Sequence, residues 1–127
     1  MRIRLISDSA FVRTALGRGM EDALPYAQVE ASPPPANDLP RVGDHPCDLL
    51  VIDYDLGTGI NGIDWCRRHC RGAPAILITS HDPVPLRRQA FAAGFTAVIG
   101  KNTHLAEQLA AEVLTLCANH TAHSATA

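Results

Sequence analysis

The side chains able to do chemistry stand where short apolar runs end. The run 3–6 gives way to Ser7 and Asp8, the run 49–52 to Asp53, the run 75–78 to Thr79 and Ser80, and the run 97–99 to Lys101 just beyond Gly100. Two neighbouring carboxylates repel each other, which favours a hard, oxygen-seeking cation such as Mg2+ between them. A hydroxyl and an ammonium beside that cation suit a phosphoryl group, whose oxygens want donors and positive charge. Such chemistry requires that the four run-ends meet, and that depends on the elements carrying them.

The runs are continuous rather than alternating, as in strands of a parallel sheet buried on both faces. A weaker run, 27–31, reads as an edge strand. Helical periodicities lie between them. Ser9 or Asp8 caps a helix with Val12, Leu16 and Met20 on its inner face, and Asn61 caps one carrying Ile63, Cys66 and Cys70, stopped by Gly72. Asp82 caps a third, with Pro83 and Pro85 in its first turn, running to Ala93 and stopped by Gly94. The last, about 103–117, places Leu105, Leu109, Val113 and Leu116 at helical spacing. Alternating strands and helices predict an α/β doubly wound parallel sheet. Ligands bind outside the carboxyl ends of such strands, so Asp8, Asp53, Thr79 and Lys101 are expected to share one crevice.

The rhythm breaks once. Between the second and third strands an expected helix is replaced by residues 32–46, where five prolines remove donors and restrict their neighbours. A loop with at most one helical turn is expected there. Residues 118–127 are small and polar, so the domain is assigned to 1–117 and the rest to a flexible tail or the start of a linker.

Composition agrees with a single globular domain. The chain has 127 residues, 46% hydrophobic and 19% charged, which is enough apolar material for a core. With 11 basic against 13 acidic side chains, no electrostatic footprint for nucleic acid or a membrane surface exists. No run is long enough for an export signal or a membrane span, and the four cysteines are expected to remain thiols in the cytoplasm.

Other clusters fare worse. Cys66, His69 and Cys70 share a helical face, but lack an evident fourth ligand for a soft metal. Ser80-His81-Asp82 has the residue types of a hydrolase triad, yet contiguous residues cannot form that relay. Gly94 to Lys101 fails as a Walker loop, with five residues between its glycines and Asn102 where Ser or Thr is needed. His104, His120 and His123 are placed on the surface.

Taken together, Ser7-Asp8, the run Asp48-Leu-Leu-Val-Ile-Asp53, Asn61-Gly62, Ile78-Thr79-Ser80, Ala93-Gly94 and Lys101 resemble the receiver domain of bacterial two-component signalling, over residues 2–117. The resemblance implies a flavodoxin-like five-stranded sheet in the order 2-1-3-4-5. It implies Asp53 as phosphoacceptor, Mg2+ held by Asp8, Asp53 and the backbone carbonyl of Asp55, Thr79 on a phosphoryl oxygen, and Lys101 paired with Asp53 and then with the phosphate. It also implies a histidine kinase or phosphotransfer protein as partner, and signalling by conformational shift rather than turnover of a metabolite. A homodimer through the family's fourth helix, fifth strand and fifth helix, and a linked output domain, are further implied partners.

The departures are equally specific. Ser7 stands where the family has a second acid, a change expected to weaken the metal site by about 10–100-fold without abolishing it. Val98 replaces the aromatic residue that usually changes rotamer, so the usual coupling to Thr79 is not available. Asn102 replaces a proline that often follows a cis bond, so a trans bond or an altered loop is expected. The loop 53–62 is one residue longer than usual and resembles a Leu-Gly-x-Gly variant. These departures motivate an alternative, a phosphorylation-independent interaction or dimerisation module. A small flavodoxin-like ligand binder is a third reading, resting on fold analogy alone.

Overall fold

The computed structural model describes residues 1–34, 47–57, 59–69 and 73–126. The five apolar runs become the strands β1 (Arg2–Ile6), β2 (Gln28–Ser32), β3 (Leu49–Asp53), β4 (Ala75–Thr79) and β5 (Phe95–Gly100). They form one parallel sheet in the order β2-β1-β3-β4-β5, the flavodoxin-like order expected. Every residue of β3 and β4 is buried, which is why these two read as unbroken apolar runs, while β2 lies at the edge and is largely exposed.

The described helices are α1 (Ala10–Ala23), α2 (Gly62–His69), α3 (Pro83–Ala92) and α4 (Leu105–Thr126). Ser9 caps α1 by accepting from the Val12 N–H at 3.2 Å. Asn61 accepts from the Asp64 N–H at 2.9 Å, and Asp82 from the Val84 N–H at 3.1 Å ahead of Pro83. Each of these polar side chains satisfies a helix donor that has no partner within its helix. Asn102 works similarly before α4, its Oδ1 accepting from the His104 N–H at 2.8 Å.

Strand side chains alternate between two layers. Ile3, Leu5, Leu49, Val51, Ile76, Ile78 and Ala97 pack beneath α1 and α4 against Leu16, Met20, Leu105, Leu109 and Val113. Ile6, Leu50, Ile52, Leu77 and Val98 face α2 and α3, against Ile63, Trp65, Cys66 and Ala90.

The helix α4 runs to Thr126, through residues assigned above to a flexible tail. Residues 118–126 contain neither Gly nor Pro, so a helix already nucleated by the packing of Leu105 to Val113 has nothing to stop it. Of the proline-rich segment 32–46 expected in place of a helix, residues 35–46 lie outside the described residues, as do Cys70 and the Gly72 stop. Cys66 itself is buried in the core. At Cys47, just before β3, burial pushes the thiol above its ordinary range, with Arg4 pulling the other way.

Gly62 positions the site from below. A Cβ on it would lie 2.3 Å from the Asp53 carbonyl oxygen, while its own N–H donates to the Tyr54 carbonyl at 2.7 Å. The obstruction is backbone and cannot rotate away. Gly62→Ala is therefore expected to destabilise the protein by about 1–3 kcal/mol, read from the urea midpoint, although alanine is the better helix former. Alkylation of Cys47 in the folded protein should follow a pH profile displaced upward from that of an unstructured thiol, since the thiolate is the reactive form.

Candidate functional site

The side-chain alternation that builds the two layers also selects which strand-end residues meet. Ser7, Asp53 and Lys101 continue the series Ile3-Leu5, Leu49-Val51 and Ala97-Ile99 that faces α1 and α4. Thr79 continues Ala75-Leu77, which faces the other layer. The contacts follow this division. Asp53 is 2% exposed, and its Oδ2 accepts from Lys101 Nζ at 2.5 Å and from Ser7 Oγ at 3.1 Å. Its Oδ1 accepts from the Asp55 N–H at 3.3 Å.

Thr79 is fully buried one position beyond Ile78, the β4 residue opposite Asp53. Its carbonyl accepts from the Lys101 N–H at 2.6 Å, tying the base of the lysine to β4. Its hydroxyl accepts from the His81 N–H at 2.9 Å. The hydroxyl proton engages no acceptor among the described residues, so it remains for an incoming oxygen.

Asp8 is exposed, and its carboxylate lies over Gly57. A Cβ there would fall 2.4 Å from Oδ2, and Gly57 has φ of 71°, so glycine supplies both the conformation and the space. The carboxylate of Asp55 is engaged by His81 Nε2 at 3.0 Å, and the His81 ring meets Tyr54 edge-on at 5.8 Å between centroids.

A divalent cation suits this place by the chemistry of its donors. Asp8 in its glycine cradle, Asp53 and a backbone carbonyl are all hard oxygens, and Mg2+ is commonly held by one or two carboxylates and water. No group of three His, Cys, Asp or Glu side chains able to hold a metal exists among the described residues.

The structure thus brings Asp53, Lys101 and Ser7 into direct contact, with Thr79 tied to Lys101 through the backbone and Asp8 at the rim. The reading from sequence treated Ser7 only as a loss, and missed His81 and Tyr54. Side-chain parity along the strands would have placed Ser7 beside Asp53; nothing in the sequence marks the pairing of His81 with Asp55. Neither the Ser80-His81-Asp82 run nor the Gly94–Lys101 run gains a catalytic or phosphate-binding arrangement. Asp82 is a helix cap, His81 binds Asp55, and residues 95–100 of the would-be Walker loop are a strand.

No protein-family model and no curated protein sequence matches the chain. Solved structures do. A two-component response regulator of the LuxR family from Aurantimonas sp. SI85-9A1 is 27% identical, with a TM-score of 0.77 over 92% of this chain and 85% of that one. A CheY-like response regulator receiver domain protein from Methanospirillum hungatei JF-1 is 16% identical, with a TM-score of 0.80 over 96% of this chain and 97% of that one. A response regulator from Burkholderia pseudomallei, solved with a phosphorylated aspartic acid, a calcium ion and citrate, is 19% identical, with a TM-score of 0.68 over 94% of this chain and 74% of that one. With the strand order β2-β1-β3-β4-β5 and an acid ending β3, these likenesses lead to one conclusion: the chain has the receiver-domain fold of two-component response regulators.

Proposed function

We propose that the chain is a phosphoacceptor receiver in a phosphorelay, taking a phosphoryl group from a histidine kinase or phosphotransfer protein onto Asp53. The observation that carries this reading is a carboxylate buried at a strand end yet held by an ammonium at 2.5 Å. A carboxylate with a purely structural task is seldom buried in this way, because its desolvation is costly. The phosphorylated aspartate in the Burkholderia pseudomallei structure adds support by analogy.

The residues divide the work. The carboxylate of Asp53 attacks phosphorus, and Lys101, already within hydrogen-bond distance, moves its charge from the carboxylate to the phosphoryl oxygens. The unengaged proton of Thr79 donates to one of those oxygens. Asp8, Asp53 and the carbonyl of Asp55 would hold Mg2+, which supplies positive charge to offset that of the phosphoryl oxygens. The chain's only chemistry would then be self-phosphorylation and slow self-dephosphorylation.

Phosphorylation adds roughly −1.5 to −2 charge beside two strand ends, enough to reposition Thr79 and Lys101. The response would spread through their backbone link to β5 and α4. Val98 is buried in the core and has no ring to swing, so an aromatic rotamer switch has no place in this mechanism. The face of α3, β5 and α4, with Val84 and Phe91 61% and 51% exposed, is the proposed output or dimer surface. Among the described residues no helix is long and apolar enough to cross a membrane, and the proposed setting is the cytoplasm.

Incubation with acetyl phosphate and millimolar Mg2+ should label the wild-type protein on Asp53, with the label lost in Asp53→Asn and on chelation of the metal. Unlabelled wild-type protein would contradict the reading; partner affinity unchanged in Asp53→Asn would favour the phosphorylation-independent alternative. Lys101→Met leaves the buried carboxylate without its cation. It should destabilise the fold by about 1–3 kcal/mol in urea denaturation. Labelling should slow by about tenfold or more.

A further inference from the structure

Every polar group of Ser7 is engaged. Its N–H donates to the Ser32 carbonyl at 3.2 Å, tying it to the end of β2. Its carbonyl accepts from Arg13 Nη1 of α1 at 2.7 Å. Its hydroxyl oxygen accepts from the Ser9 N–H at 3.2 Å, and its O–H donates to Asp53 Oδ2 at 3.1 Å. A hydroxyl has one proton, and the Ser9 N–H occupies a lone pair, so that proton is directed at Asp53. The residue is fully buried and fixed from β2, α1 and the α1 cap at once.

The consequence falls on the two oxygens of Asp53. Oδ2 carries two donors, one of them the charged Nζ of Lys101, whereas Oδ1 carries a single long bond from a backbone N–H. Lone pairs committed to strong donors are poorer nucleophiles, and two donors on one oxygen oppose rotation of the carboxylate about χ2. We infer that Ser7 is a positioning residue for phosphoryl transfer, its hydroxyl clamping Oδ2 of Asp53 so that Oδ1 is the attacking atom. The inference rests on the phosphoacceptor reading above and deepens it. In the step, a lone pair of Oδ1 forms the new O–P bond while the bond from phosphorus to the donor breaks. The electron pair leaves with the imidazole nitrogen of a phosphohistidine, or with the acetate oxygen of acetyl phosphate, and nothing is oxidised or reduced. Ser7 is thus more than the loss of an acid, because it replaces a charge by an orientation.

The test compares wild type, Ser7→Ala and Ser7→Cys by the rate of Asp53 labelling against acetyl phosphate concentration at fixed Mg2+. Cysteine nearly preserves the shape but is a weak donor, so it separates the hydrogen bond from packing and serves if Ser7→Ala does not fold. The maximal rate should fall by about 10–100-fold in both variants, with the half-saturating acetyl phosphate concentration unchanged. In the metal-free protein, the carbon-13 resonance of the Asp53 side-chain carboxyl should move in both variants. Variants that label at the wild-type rate, or that change only half-saturation, would overturn the proposal alone. A wild-type protein that stays unlabelled would overturn the phosphoacceptor reading and this proposal with it.

Discussion

The burial of one carboxylate organises the structure around the site. Removing an ionised Asp53 from water costs on the order of several kcal/mol unless charge and hydrogen bonds are supplied in return. Lys101 supplies the charge, while Ser7 and the Asp55 N–H supply the remaining bonds. Each donor comes from a different segment, so the partners of one carboxylate fix the relative positions of β1, β3 and β5 at their carboxyl ends. The absence of a Cβ at Gly62 lets the start of α2 pack against the Asp53 carbonyl.

Much of this was legible from residue types and spacing. Continuous apolar runs ending in polar residues marked the strands, the helices between them implied a parallel sheet, and the order 2-1-3-4-5 came from the family resemblance. What was not legible depended on finer geometry. Four strand ends read as one convergence, yet alternation of side chains divides them, with Ser7, Asp53 and Lys101 facing α1 and α4, and Thr79 on the other parity. The pairing of His81 with Asp55 depends on two turns whose course no periodicity encodes. The extension of α4 to Thr126 depends on propagation from a packed segment, which local polarity at 118–126 does not reveal.

The departures from the family pattern also acquire physical meaning. Val98 lies in the α2–α3 layer with Ala90, Trp65 and Phe95, and its stiff aliphatic side chain brings no ring of its own to that position. The Lys101 N–H donates to the Thr79 carbonyl, a backbone tie between β4 and the residue that follows β5. Asn102 shapes the entry to α4 with its side chain, where a proline could only restrict the backbone. Ser7 is buried and fully bonded rather than merely missing a charge.

The central claim is that Asp53 receives a phosphoryl group which Thr79 and Lys101 then hold. It is tested most directly by titrating the protein with beryllofluoride in the presence of Mg2+, while following the amide NMR resonances of Ser7, Thr79 and Lys101. Saturable shifts at all three in the wild-type protein, absent in Asp53→Asn, are the predicted result. Resonances that stay in place in the wild-type protein at saturating beryllofluoride and Mg2+ would contradict it.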